Sequence, residues 1–146
     1  SRKNGVMVIG IAENSKNFIL IREYKYPIQE FCINAPMGGV NDKEDIEKAA
    51  RREFFEETGY TSDTKLISLG TWPIYPARTN DRLFTFLLMD CKQITDKTGG
   101  EETEETEVIL IPQIEIWEWI TKKLENSNTV LALIRACNYL EIYPNK

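Results

Sequence analysis

The chain has 146 residues, of which 42% are hydrophobic and 28% are charged. This length predicts a single domain, residues 1–146, that is large enough to bury a core. The net charge of −5 argues against a stable nucleic-acid partner or an anionic membrane surface. The chain contains no histidine, which excludes Ser-His-Asp and Cys-His catalysis and leaves acid–base chemistry to carboxylates, Lys, Tyr or metal-bound water.

The cysteines and the apolar runs bear on location. No apolar run approaches the ~20 residues of a membrane span, and no secretory signal is present. Cys32, Cys91 and Cys137 are widely spaced, so we expect reduced thiols in a cytoplasmic protein. Ser1 in place of Met indicates a cloning remnant or a trimmed chain, so native residues ahead of it could be missing.

The first half of the chain alternates strands with one helix. Apolar runs at residues 6–12 and 18–24 predict a strand hairpin, and 31–35 predicts a short strand. Residues 36–39 are expected to form a tight loop, because Gly permits backbone geometry that other residues resist. A helix follows, capped by Asp42 or Asp45 and ending at Gly59. Its predicted buried stripe consists of Ile46, Ala49, Ala50 and Phe54.

The end of this helix carries three crowded carboxylates, Glu53, Glu56 and Glu57. Glu53 and Glu57 are one turn apart, about 6 Å along the axis, and like charges at such spacing destabilise a helix by roughly 0.2–0.5 kcal/mol per pair. A hard divalent cation would turn this repulsion into binding, since Mg²⁺ prefers carboxylate oxygens. The alternative is a solvated helix face, because Glu is a good helix former.

The second half predicts more strands and two helices. Strands are expected at 65–71 and 83–90, joined by the aromatic and cationic loop 72–82. An acidic run at 101–107 precedes a strand at 108–111. A helix should begin at Pro112 and run to about 125, and Thr129 should cap a final helix to about 142. This order predicts an α/β protein, an α/β/α sandwich with a mixed sheet.

The spacing around the carboxylates is similar to the signature of the Nudix hydrolases. That signature is G, five residues, E, seven residues, then R-E-U-x-E-E-x-G-U, with U a bulky apolar residue. Here Gly38, Glu44 and the stretch REFFEETGY of residues 52–60 match it, with Tyr60 where an aliphatic residue is commoner. The resemblance implies the Nudix-type sandwich and an enzyme that hydrolyses a diphosphate linked to another moiety.

The resemblance also implies roles for individual residues. The metal would be Mg²⁺, with Mn²⁺ as a possible substitute, and one of its bound waters could be the nucleophile. Arg52 would pair with a neighbouring glutamate and hold it in place, and Glu44 would support it. The implied metal ligands are the backbone carbonyl of Gly38 and the carboxylates of Glu53, Glu56 and Glu57.

Features outside the signature resemble the ADP-ribose pyrophosphatase branch of the family. There a glutamate on a loop before a late strand is the general base, which implies Glu102 or Glu104 here; the alternative is a solvated acidic loop. Residues 22–27 resemble R-Q-Y-R-x-P, with Glu23 replacing Gln and Lys25 replacing Arg. Residues 34–38 resemble E-L-P-A-G, but Asn34 stands where the branch has a glutamate that often contributes to the metal or substrate site.

Cationic and aromatic residues are the candidates for ligand recognition. Phosphates would meet Arg22, Lys25, Arg78 and Arg82, and a base or sugar would stack on Trp72 or Tyr75. Surface charge or packing is the alternative for each of them.

The sequence thus predicts a metal-dependent pyrophosphohydrolase acting on ADP-ribose or a related nucleotide sugar. Hydrolysis of nucleoside triphosphates and non-catalytic sensing of a nucleotide sugar are the alternatives. A homodimer is possible, through a missing N-terminal segment or through another surface such as Trp117 and Trp119.

Overall fold

The computed structural model describes residues 3–96 and 106–145. The eight strands in this part of the chain are β1 Gly5–Ala12, β2 Phe18–Lys25, β3 Glu30–Asn34, β4 Met37–Gly39, β5 Tyr60–Thr61, β6 Ile67–Pro73, β7 Arg82–Gln93 and β8 Thr106–Ile111. The helices are α1 Ile46–Thr58, the single turn α2 Ile116–Glu118 and α3 Ser127–Leu140. A 3₁₀ turn, Gln113–Glu115, precedes α2, and a π-helical turn, Trp119–Lys123, follows it.

The sheet is mixed. Its main path is β3-β2-β1-β7-β5, with β4 also paired to β1, β6 to β7 and β8 to β2. β1 and β7 run parallel, and the other described pairings are antiparallel. This confirms the predicted α/β class with a mixed sheet.

The core has two layers, one on each face of the sheet. On one face, Ile9 and Leu20 pack against Leu133 of α3 and its neighbours. On the other face, Val8 and Ile19 pack against Phe54 of α1. Alternate strand residues therefore serve opposite helices, and the predicted α/β/α sandwich is confirmed.

Local signals define α1. Asp45 is its N-cap and accepts a hydrogen bond from the Lys48 N–H at 3.3 Å. Gly59 ends the helix with φ of 75°, a left-handed conformation that costs glycine little. The ring of Phe54 fills the space above Gly10 on β1, where any added Cβ would collide with it. The helix is thus seated directly on the central strand.

Three local predictions were wrong. Residues 36–39 do not form a loop alone, because Met37–Gly39 is strand β4, paired with the start of β1. Asn126 rather than Thr129 caps α3, and its side chain accepts the Thr129 N–H at 2.8 Å. The predicted helix from Pro112 is instead the irregular run of short turns.

The strand directions bring distant segments to one end of the sheet. β2 runs antiparallel to β1, and β7 runs parallel to it. β8 runs antiparallel to β2, with Thr106 opposite Glu23. The start of β1, the end of β2 and the starts of β7 and β8 therefore share one end, where Gly38 of β4 also lies. Within the described ranges, no helix is long and apolar enough to cross a membrane.

Candidate active site

Arg52 of α1 is the centre of an ion-pair network. Its Nε and Nη2 donate to the two oxygens of Glu44 at 2.8 and 2.9 Å. Its Nη1 donates to Glu53 Oε1 at 2.9 Å and to Glu56 Oε2 at 3.3 Å. Its Nη2 also donates to the Gly39 carbonyl at 3.0 Å. A planar guanidinium suits such forked contacts, so Arg52 fixes several glutamates at once.

Glu44 is fully engaged. Besides the two bonds from Arg52, it accepts the Asn41 N–H at 3.0 Å. The hydrogen bond from Arg52, followed by the one from Asn41, lowers the pKa of Glu44 from its usual 4.5 to about 2. Its carboxylate ties the segment before α1 to the helix.

Gly38 and Glu53 are in intimate contact. A Cβ built on Gly38 would overlap the Glu53 carboxylate, so a side chain at this position would push that carboxylate out of its present place. The Glu53 side chain is 17% exposed, whereas that of Glu56 is 55% exposed. The two glutamates contacted by the same Arg52 nitrogen therefore differ, one lying in a cradle of β4 backbone and the other near solvent.

Glu57 is the unusual carboxylate of the group. Its Oε2 is buried and has no hydrogen-bond partner among the described residues. Burial, then the negative charges of Glu23 and Glu53, raise the pKa of Glu57 to about 8, against which a hydrogen bond from the Met37 N–H acts. A buried polar atom without a partner is uncommon in a folded protein and indicates a missing cationic or donor group.

The carboxylate oxygens of Glu53, Glu56 and Glu57 are donors of the kind that a divalent metal ion binds. Within the described ranges, no cluster of three acidic or cysteine side chains is gathered as a ready metal site. The Arg52 guanidinium already forms ion pairs with Glu44, Glu53 and Glu56. The Glu57 oxygen that lacks a described partner and the Glu53 carboxylate that lies against Gly38 are still hard oxygen donors. Such donors suit Mg²⁺.

A second polar group borders Glu57. Glu23 Oε1 accepts from Lys25 Nζ at 2.7 Å and from Asn34 Nδ2 at 3.2 Å. Lys25 is therefore ion-paired with Glu23 in this structure. The sequence interpretation treated Glu23 and Asn34 only as departures from a pattern, although the alternation of β2 and β3 could have placed them side by side.

The other predicted ligand-binding residues lie in separate parts of the structure. Arg22 pairs with Glu107 at 3.1 Å and lies 3.7 Å from the centre of the Phe31 ring; strand alternation puts it on the sheet face opposite Glu23. Trp72 is partly buried, and its Nε1 donates to Asn128 Oδ1 at 3.0 Å. The Arg135 guanidinium lies over the Trp72 ring, which leaves less of the ring open to a ligand.

The hairpin between β6 and β7 holds the remaining candidates. Arg82 Nη2 donates to the Thr71 carbonyl at 3.2 Å. Tyr75 is 65% exposed, and Arg78 is exposed as well. These residues lie at the site end of the sheet. Glu102 and Glu104 lie outside the described residues.

A cavity of about 370 Å³ adjoins this site. Its walls come from β3 and from the turn before α3, and they include both partners of Glu23, namely Lys25 and Asn34. Cys32 also lines it, whereas Cys91 and Cys137 are buried. No local pattern places Cys32 beside the turn before α3, since their proximity depends on tertiary packing.

The tryptophans considered for a dimer surface are largely occupied within the chain. Trp117 and Trp119 are partly buried against the core. Trp117 Nε1 donates to the Ile142 carbonyl at 3.0 Å, and Lys123 lies over the Trp119 ring. A homodimer stays a prediction.

This glutamate-bearing helix on a mixed sheet defines a Nudix-type hydrolase domain, and comparison with known proteins agrees. Residues 1–131 match the NUDIX domain model. The chain belongs to this family, which confirms the resemblance seen in residues 38–60.

Individual relatives are more distant. The chain is 27% identical to an ADP-ribose pyrophosphatase of Bacillus subtilis over 71% of its own length, and 24% identical to a methanol dehydrogenase activator of Bacillus methanolicus over 90%. A solved structure of an ADP compounds hydrolase superposes with a TM-score of 0.77 at 21% identity, covering 97% of this chain and 74% of that one. It shows a shared fold.

The chain is shorter than these relatives. It spans 55% of the Bacillus subtilis enzyme and 71% of the Bacillus methanolicus protein. It spans 60% of a Caenorhabditis elegans protein that bears a provisional nudix hydrolase name.

Proposed function

We propose that this protein is a divalent-metal-dependent pyrophosphohydrolase that cleaves ADP-ribose or a related nucleotide sugar. The observation that carries the proposal is the buried oxygen of Glu57, which has no hydrogen-bond partner among residues 3–96 and 106–145, near the Glu53 carboxylate that lies against Gly38. Such a carboxylate is costly to leave uncompensated, and a bound cation would compensate it.

The metal ligands in this proposal are Glu53, Glu56, Glu57 and the Gly38 carbonyl. Bound Mg²⁺, or Mn²⁺ in its place, would offset charge on the phosphoryl oxygens and lower the pKa of a bound water. Arg52 holds the Glu53 and Glu56 carboxylates in position. Glu102 or Glu104 would accept the proton of the attacking water.

The substrate class rests on two observations. Relatives include proteins named ADP-ribose pyrophosphatase from Bacillus subtilis and Saccharomyces cerevisiae. The cavity of about 370 Å³ beside Lys25 and Asn34 has polar and apolar walls, as a nucleoside or sugar site requires. Lys25, Tyr75, Arg78 and Arg82 are the proposed contacts for phosphate and base, because they lie at the same end of the sheet.

The test is a panel of ADP-ribose, other nucleoside diphosphate sugars and nucleoside triphosphates, each incubated with protein and Mg²⁺. We expect a nucleoside monophosphate and a sugar phosphate from the diphosphate sugars, and no product with a chelator present. Release of pyrophosphate from triphosphates alone would replace the proposed substrate class. Tight binding of ADP-ribose without turnover in Mg²⁺ or Mn²⁺ would replace catalysis by sensing.

A further inference from the structure

We propose that Phe31 of β3 is the platform on which the base of a nucleotide substrate stacks. This role rests on the pyrophosphohydrolase function proposed above and says which part of the substrate enters the cavity beside Lys25. It concerns the binding of the base and not the chemistry at the carboxylates. Phe31 lies outside the 38–60 signature, and its position, exposure and contacts carry the proposal.

The cavity lies along the free edge of β3. In the described part of the chain, β3 pairs with β2 alone. All five residues of β3, 30–34, line the cavity, although successive side chains of a strand point to opposite faces of the sheet. A cavity that reaches both sets of side chains wraps around the edge of the strand. It therefore opens towards both faces of the sheet.

One side of the cavity, formed by Lys25 and Asn34, faces α1. In β2, Ile19 belongs to the core layer beneath α1, and side chains two, four and six positions further along a strand point the same way. Lys25 is therefore on this face, and so is Asn34, which is opposite Ile21. Both residues also contact Glu23. This side of the cavity is the one nearer to the glutamates of α1.

Phe31 lies on the other side of the cavity and has a firmly held ring. The Arg22 guanidinium lies 3.7 Å from the ring centre, and Tyr24 meets the ring edge-on with centroids 5.2 Å apart. Arg22 is itself paired with Glu107 at 3.1 Å. Phe31 nevertheless remains 49% exposed in the cavity wall. The ring is thus supported from within the chain and still accessible to a ligand.

This two-sided cavity matches the two ends of a nucleotide. Charged phosphates fit the side that faces the glutamates, where a bound metal ion would meet them. The flat base fits the side of Phe31, since bases of every kind stack on aromatic rings. Ile28 of the adjoining turn is exposed, also lines the cavity and adds a second apolar surface.

The size of the cavity limits what it holds. Its volume of about 370 Å³ is near the lower end of the range for small-molecule sites, about 300–1,000 Å³. It therefore accommodates one end of a nucleotide sugar rather than the whole molecule, and the aromatic wall makes that end the base.

The aromatic residues suggested by the sequence are placed differently. Trp72 Nε1 donates to Asn128 Oδ1 at 3.0 Å, and Arg135 lies over the Trp72 ring. Tyr75 is exposed on the β6–β7 hairpin and is not part of the cavity wall. Phe31 is the aromatic member of that wall. Tyr75, at the other flank of the site, is the competing position for the base.

The experiment measures the binding of AMP and of ribose 5-phosphate in chelator, by isothermal titration calorimetry. Phe31→Leu keeps an apolar side chain and removes the ring, so AMP should bind about tenfold more weakly, a scale typical of losing one base–aromatic stack. Ribose 5-phosphate has no base, so its affinity should stay the same. Phe31→Tyr retains a ring and should keep the affinity for AMP. Tyr139→Leu is the matched control, because Tyr139 is an exposed aromatic residue of α3 outside the cavity wall.

Steady-state kinetics with ADP-ribose and Mg²⁺ give a second readout. Phe31 would contact the base equally in the ground state and in the transition state. Loss of its ring should therefore raise KM about tenfold and leave kcat near its original value. A merely structural role would instead weaken AMP and ribose 5-phosphate together, and that result would contradict the proposal.

The outcomes separate this inference from the proposed function. Unchanged AMP affinity in folded Phe31→Leu, checked by circular dichroism, would overturn the role of Phe31, as would a larger loss in Tyr75→Leu. If Phe31→Leu misfolds, Ile28→Ser replaces it: AMP should bind severalfold more weakly, and an unchanged affinity would overturn the base site. Absence of AMP binding in the original chain would also overturn it. Loss of AMP affinity in Phe31→Leu, when the original chain hydrolyses no diphosphate, would support the base site and overturn only the enzyme.

Discussion

Glu44 and Glu57 are the same residue type at two ends of one site, yet their surroundings are opposite. Glu44 receives two bonds from Arg52 and one from Asn41, and its pKa falls to about 2. Glu57 has a buried oxygen without a described partner, and its pKa rises to about 8. The Glu44 carboxylate is satisfied by Arg52 and Asn41, whereas one oxygen of Glu57 finds no hydrogen-bond partner in the described part of the chain.

The largest expected effect comes from removing the charge at the unsatisfied end. We expect Glu57→Gln to reduce Mg²⁺-dependent turnover of ADP-ribose by about 10³-fold, the scale for loss of one group that stabilises developing charge. Near neutral pH the metal-free variant should also melt at a higher temperature, because the amide removes the cost of protonating the carboxyl group, or of burying its charge, on folding. Product release and thermal unfolding check the two effects. Glu47→Gln, an exposed change in the first turn of α1, is the control, and turnover similar in both variants would contradict the prediction.

Arg52→Lys should disturb the satisfied end. A lysine cannot reproduce the forked contacts with Glu44 and Glu53, so we expect turnover to fall about 10- to 100-fold and stability to fall by about 2 kcal/mol. Steady-state kinetics and urea unfolding measure these changes. Arg51→Lys is a matched control because Arg51 bonds the Ser62 and Thr64 carbonyls at 2.8 and 2.7 Å. Arg51→Lys should lose stability and keep turnover. Equal losses of turnover in both variants would contradict a specific role of Arg52 in the site.

The pH dependence of metal-free stability should show the raised pKa of Glu57. Since the folded state binds this proton more tightly than the unfolded chain, its contribution to stability is complete below pH 4.5 and is lost as pH rises to about 8. Glu57→Gln should remove that decline. Urea unfolding in chelator across this pH range gives the free energy of unfolding of both proteins. The difference between the two free energies tests the prediction. A difference that stays constant with pH would show that Glu57 titrates normally.

A smaller effect should locate the ligand at the Glu57 end. Cys32 lines the adjoining cavity, whereas burial raises the pKa of Cys91 and Cys137 to about 12 and 11. Alkylation near pH 8 should therefore occur first at Cys32, and ADP-ribose with chelator should slow it severalfold by mass action. Mass spectrometry of peptides gives the rate, and Cys32→Ser is the control. An unchanged rate at saturating ADP-ribose would place the ligand elsewhere.

The parts that were predictable from sequence depend on local chemistry. Asp45 and Gly59 bound α1 because capping and left-handed backbone are properties of a few neighbouring residues. Strand β4 escaped prediction because its partner is the distant start of β1. The contacts of Trp72 with Asn128 and Arg135 of α3 also depend on tertiary packing.

The same limit applies within the candidate site. The crowding of Glu53, Glu56 and Glu57 follows from helix geometry, so the sequence was enough to predict it. The burial of Glu57, with one oxygen left without a described partner, follows from the packing of α1 against β2 and β4. No local sequence pattern contains that packing. The ion pair of Arg22 with Glu107 depends on a strand far along the chain, so no local pattern contains it.

The packing of Phe54 against Gly10 bears on how the substrate-binding part of such a site can change. Phe54 is adjacent to Glu53 on α1, so the residue that sets the height of the helix above β1 neighbours one that carries the carboxylates. The hairpins that flank the site attach elsewhere on the sheet, in β2–β3 and β6–β7. Their tips can be lengthened or rewritten without tilting α1, so new substrates become accessible while the acidic centre keeps its place.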